Sequence, residues 1–223
     1  TQNVVIMTGH QRDTGYSALS QVEAYWNALR GPRLLPARAE IDPRGIEAAL
    51  EYTFILERIA PGMARLRIAG SHLSDLMGME VRGMPLSSFV ASEGRRELAD
   101  TLEEVFQRPA VAELRLTSEG GFDKPAMDAR LLLMPLKSDL GDVSRVLGCL
   151  VARGTIGRAP RRFDIAGIQV RPIATPAAAP QVTDEGAEAA PKPGGFSEDA
   201  AEMKPRRRAG DVPYLRLVED NDD

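Results

Sequence analysis

TFILERIAPGMARLRIAG (53–70) is the stretch on which the fold turns. Residues 53–60 are rich in branched and aromatic side chains and stop at Pro61-Gly62, a turn signal. Residues 63–69 alternate, with Ala64, Leu66 and Ile68 on one side and Arg65 and Arg67 on the other. A period of two marks a half-buried strand, and two such strands joined by Pro-Gly read as a hairpin.

Downstream, Ser71 is expected to cap a short helix over 72–77 that Gly78 closes. Gly83 and Pro85 leave no room for a long helix in 79–90. SEGRRELADTLEEVFQR (92–108) is an amphipathic helix, with Ser92 as its expected N-cap and an apolar stripe of Leu98, Leu102, Val105 and Phe106 ending at Pro109. Three strands follow, over 110–118, 126–136 and 143–154, separated by Gly120-Gly121 and by SDLGD (138–142). The last of them is apolar on both parities, as a central strand covered on both faces must be. RRFDIAGIQVRPI (161–173) either adds a further strand or packs back on the body.

Upstream, Leu19, Val22, Trp26 and Leu29 form a 3-4-3 stripe on a helix over 17–30 that Gly31-Pro32 stops. This stripe either packs on its own domain or forms the seam of a homodimer. Asp42-Pro43 reads as an N-cap and first-turn proline of a second short helix, with Ile46, Ala49 and Leu50 on one face. Two strands, a helical insertion and a three-strand meander make an antiparallel α+β domain.

This pattern resembles a PAS domain. The resemblance implies a five-stranded antiparallel sheet in the order 2-1-5-4-3, with helices on one face. The resulting division is a flexible arm at 1–16, an N-terminal helical extension at 17–52, a PAS core at 53–154, an extra strand within 155–173, and a disordered acidic Pro/Ala-rich tail at 174–223. AYWNALRG (24–31), LLPARAEIDP (34–43), LRIAGSHLSDLMGMEVRG (66–83), LLLMPL (131–136) and RVLGCL (145–150) are similar to the single-PAS-domain proteins of alphaproteobacteria, most of them uncharacterised. The family implies a sensory or protein-interaction module without catalysis of its own. It also implies a pocket between sheet and helices, for which Phe89, Val90, Leu102, Phe106, Leu133 and Cys149 are the candidate lining residues.

The residues bear on each chemistry in turn. Flavin photoreceptors of this family carry a cysteine on the helix after the second strand; HLSDLMGMEV has none, which argues against flavin-cysteine photochemistry. Heme requires an axial ligand, and His72 is the one histidine in the core, His10 lying in the arm; heme is not expected. No His, Cys or carboxylate spacing suits a metal. Ser71, His72, Ser74 and Asp75 are neighbours in sequence, which does not make a triad, and no Gly-x-Ser-x-Gly or phosphate-cradling glycine motif occurs. Cys149, the single cysteine, excludes an internal disulfide and is expected to be a buried thiol, a redox or adduct role being the alternative.

Formal charge is −4 over 223 residues, unevenly placed. Residues 1–173 carry 22 basic and 21 acidic side chains, and 174–223 carry 6 and 11. A nearly neutral body argues against nucleic acid, which needs a basic footprint. Arg65, Arg67, Arg115 and Arg130 lie on the polar parity of strands, as a solvated face or as a face that docks a helix or an anionic partner. No apolar run is long enough for a membrane span, and a cytoplasmic location is expected. In the tail, Tyr214, Leu215, Leu217 and Val218 form an apolar cluster that suits a tethered docking segment. Three function classes remain: a non-enzymatic sensory module with a signalling-protein partner and an unidentified ligand, an enzyme using His72 and Asp75 as acid and base, and a ligand-free dimerisation scaffold.

Overall fold

The structure is a computed structural model and describes residues 14–173. The arm over 1–13 and the tail from 174 onward, with Tyr214, Leu215, Leu217 and Val218, lie outside the described residues. The hairpin forms as β1 (Thr53–Ala60) and β2 (Met63–Ala69), closing where Ala60 faces Met63. Gly62 takes the turn with φ +67°, a conformation that disfavours any residue with a Cβ. The meander follows as β3 (Ala110–Ser118), β4 (Met127–Leu136) and β5 (Arg145–Arg153).

A sixth strand, β6 (Asp164–Pro172), extends the expected sheet, so the order is β2-β1-β5-β4-β3-β6 with every neighbour antiparallel. Without β6, β3 would be an apolar edge; Ile165, Ile168 and Val170 of β6 cover it and pack on the core.

Helices cover both faces of the sheet, not one. β4 and β5 send successive apolar side chains to opposite sides: Leu131, Leu133, Val146 and Leu150 belong to one buried cluster, Leu132, Met134, Leu147, Cys149 and Val151 to the other. Each face therefore needs a cover. The inner face packs against α2 (Ser71–Met77) through Leu73, Leu76 and Met77, and against α3 (Arg95–Gln107) through Leu98, Leu102, Val105 and Phe106. The outer face packs against α1 (Ser17–Arg30) and the 3-10 segment Pro43–Tyr52.

Local signals fared unevenly. Asp42 caps the 3-10 segment as expected, its carboxylate accepting from the Arg44 amide at 3.0 Å. The segment is kinked at Ile46, and it buries Ile46 and Ala49 but leaves Leu50 exposed, against the α-helical expectation. Ser71 is the first residue of α2 rather than its cap; the cap is Gly70, where a Cβ would stand 2.1 Å from the Glu51 carbonyl oxygen. Ser92 opens a 3-10 turn ahead of α3, and its hydroxyl bonds the Glu93 carboxylate instead of a helix amide. Glu103 of α3 accepts from the Gly62 amide at 2.9 Å and pairs with Arg58, tying the helix to the hairpin.

Candidate functional site

Five of the six expected pocket residues come together. Phe89, from the turn Leu86–Phe89, and Val90 after it are held by the segment ahead of β6: the Phe163 amide donates to the Phe89 carbonyl and the Ala91 amide to the Phe163 carbonyl, both at 2.9 Å. Leu102 and Phe106 project from α3 and Leu133 from β4 into the same inner cluster. All five are buried.

Cys149 does not join them. It alternates with Gly148 and Leu150 on β5 and faces the outer cluster, across the sheet from the other five. It is fully buried there, and burial pushes its thiol pKa up to about 12. The thiolate is the reactive form of cysteine, and this burial disfavours it.

On the inner face it is Phe54 that packs over β5, at Gly148. The two are Cα partners across β1 and β5, and a Cβ on Gly148 would stand 2.2 Å from the Phe54 ring. The ring thus lies on bare backbone at the middle of the inner face. A glycine inside an otherwise apolar strand signals such a close approach, and RVLGCL (145–150) carried that signal.

His72, at the start of α2, is half-buried beside Tyr52, ring centroids 4.9 Å apart edge to face. The Ala152 amide donates to His72 Nε2 at 3.1 Å. That nitrogen must be unprotonated to accept, so its lone pair is committed to β5. Burial lowers the His72 pKa, with Glu51 and Asp75 pulling weakly the other way. The side chain ties α2 to the sheet. Asp75, on the same helix, is exposed.

The homodimer stripe is also redirected. Leu19, Val22 and Trp26 are buried against the chain's own outer face, Trp26 at 1% exposure, and Leu29 is half-buried. The Trp26 indole N–H donates to the Pro135 carbonyl at 3.1 Å. Side chains covered by their own sheet do not offer a seam to a second copy. The outer face of β4 and β5 claims this stripe as a cover, which helical spacing alone could not tell from a seam.

The strand arginines are largely engaged. Glu57 accepts from Arg65 at 2.8 Å, Arg145 at 2.7 Å and Arg67 at 3.2 Å. These guanidiniums, Arg65 first, hold its carboxyl below the usual value. Arg130 pairs with Glu113 at 3.4 Å and sits 4.7 Å over the Tyr16 ring; Arg115 is exposed. Sequence reading missed Glu57 as a hub, although its parity on β1 put it opposite the arginines. It also missed Arg161, fully buried, which donates to the Ile156 and Pro125 carbonyls and to the Ser118 hydroxyl at 2.8, 2.6 and 3.0 Å.

Among the described residues no three His, Cys, Asp or Glu side chains are grouped to hold a metal, and no helix is long and apolar enough to cross a membrane.

The sequence model of the PAS domain family matches residues 15–151. That span takes in α1 and the 3-10 segment as well as β1 to β5. No curated protein matches the chain. Among solved structures, an RNA-binding Light-Oxygen-Voltage receptor is 21% identical, with a TM-score of 0.37 over 52% of this chain and 35% of that one, so this chain spans about a third of that protein's length. A Light-Oxygen-Voltage domain studied with a flavin analogue is 15% identical, with a TM-score of 0.35 over 50% of this chain and 83% of that one.

Proposed function

The chain belongs to the PAS domain family, and from that premise we propose that it is a non-enzymatic bacterial sensory module. It acts in the cytoplasm through contact with a signalling protein, and a small ligand on the inner face modulates that contact. Family membership across 15–151 carries this reading. The ligand's place in this reading is the inner cluster that holds Phe89, Val90, Leu102, Phe106 and Leu133, where Phe54 packs over Gly148. A ligand enters by displacing that ring. It shifts the conformational balance only by the difference in its affinity for the two ring positions. Transmission runs through β5, whose outward residues Leu147, Cys149 and Val151 carry the cover formed by α1.

The acid/base alternative is weakened by His72, whose Nε2 is spent on the Ala152 amide. The experiment is native mass spectrometry of the full chain purified from its own host, alongside substrate screening. The expected result is a bound small molecule or a stoichiometric protein partner and no turnover. Turnover abolished by His72→Gln would overturn the proposal. Absence of both ligand and partner, with a melting temperature that no small molecule moves, would favour a scaffold.

A further inference from the structure

Six parts of the chain converge at the β1–β2 end of the outer sheet face. Arg38 and Ala39 come from the turn Arg38–Glu40, Ile55 from β1, and Arg67 and Ile68 from β2. Arg82 comes from the loop after α2, Asp139 from the β4–β5 connection and Arg145 from the start of β5. They line an open groove of about 500 Å³, with four guanidiniums against one carboxylate. Ala39, Ile55 and Ile68 are its apolar lining residues, and Ile68 is 52% exposed.

The groove is held in shape by main chain. The Arg38 amide donates to the Lys137 carbonyl at 2.8 Å and the Lys137 amide to the Pro36 carbonyl at 3.0 Å. On the opposite wall the Gly83 amide donates to the Leu66 carbonyl at 2.7 Å and the Leu66 amide to the Met84 carbonyl at 2.9 Å. Glu57 holds Arg67 through Nε at 3.2 Å and Arg145 through a terminal nitrogen at 2.7 Å. Like charges brought together from distant parts of a chain repel, and an ordinary solvated face intersperses the two signs. Planar guanidinium forks match phosphate and carboxylate oxygens two at a time. A groove of a few hundred Å³ is on the scale of a small molecule. Glu113 and Asp128, toward the β3–β4 end of the same face, interrupt the positive surface that a nucleic-acid backbone would need.

We propose that the groove between Arg38, Arg67, Arg82 and Arg145 is a binding site for a small polyanion carrying two or more phosphate or carboxylate groups. None of the residues of the inner cluster lines it, so the site stands or falls apart from the sensory reading above.

The test is calorimetric titration of the full chain with sodium tripolyphosphate, citrate and orthophosphate at low salt, with amide NMR shifts to place the binding. Tripolyphosphate or citrate is expected to bind more tightly than orthophosphate and to move the Arg38, Arg67, Ile68 and Arg82 signals. Whichever of the two binds more tightly identifies the acidic group. Arg38→Gln with Arg82→Gln is expected to weaken binding about tenfold or more, because each removes charge-assisted hydrogen bonds. Arg115→Gln, at the other end of the face, is expected to leave the affinity unchanged. Among the described residues neither Arg38 nor Arg82 anchors an ion pair, and Arg82→Gln alone gives the same direction should the double variant be unstable. Equal binding by the double variant, equal weakening by Arg115→Gln, or no saturable binding would overturn the site. Tighter binding of an oligoglutamate peptide at the same signals would overturn it in favour of protein docking.

Discussion

His72 shows how one half-buried side chain makes stability depend on pH. Its Nε2 accepts from Ala152, and burial holds its pKa below the ordinary 6.5. As pH falls, the unfolded chain therefore takes up this proton before the folded chain does. Stability from the neutral ring is full above the unfolded pKa of 6.5 and is lost as pH falls through the lower folded value. The urea midpoint is accordingly expected to drop between about pH 7 and pH 5. His72→Gln, whose amide oxygen can take the same bond without titrating, is expected to flatten that slope. A slope unchanged in the variant would place the dependence elsewhere. Arg161 teaches a different lesson. It is buried while its neighbour Arg162 is exposed, and nothing in the dipeptide separates them. Only the convergence of the Ile156 and Pro125 carbonyls and the Ser118 hydroxyl creates a place for a guanidinium.

At the scale of elements, α1 is the informative case. Its stripe was legible in the sequence, but its partner was not, since an apolar stripe fits its own sheet as well as a second helix. The partner follows from β4 and β5, whose outward residues need a cover. Trp26→Ala is expected to cost about 3–5 kcal/mol, by deleting a buried aromatic ring and freeing the Pro135 carbonyl. Its folded fraction should keep the wild-type mass in sedimentation. A fall in mass with the melting temperature unchanged would instead mark the stripe as a subunit seam. The short helices carry a parallel lesson. Ser71 and Ser92 have the right chemistry for caps, yet packing put a glycine ahead of each helix, Gly70 because only bare backbone fits against Glu51.

At the scale of the whole described chain, residues 14–173, two apolar clusters share one sheet. Leu131 and Leu133 serve the inner one, Leu132 and Met134 the outer one, so neither can melt without disrupting strands of the other. A single cooperative transition is expected. Trp26 fluorescence, which reports the outer cluster, should coincide in urea with far-ultraviolet circular dichroism; separated midpoints would refute the coupling. The residues alone determined the α+β class, the hairpin, the meander and the long amphipathic helix, because apolar period and turn chemistry are properties of neighbours in sequence. They also supplied the family resemblance that the match over 15–151 bears out. Tertiary structure alone decided which face each apolar parity serves. It thereby moved Cys149 away from Leu133, turned the α1 stripe inward and joined β6 to the sheet. It also gathered Arg38, Arg67, Arg82 and Arg145 around one groove. Those outcomes depend on contacts between residues far apart in the chain, where burial and charge are settled by what arrives from elsewhere.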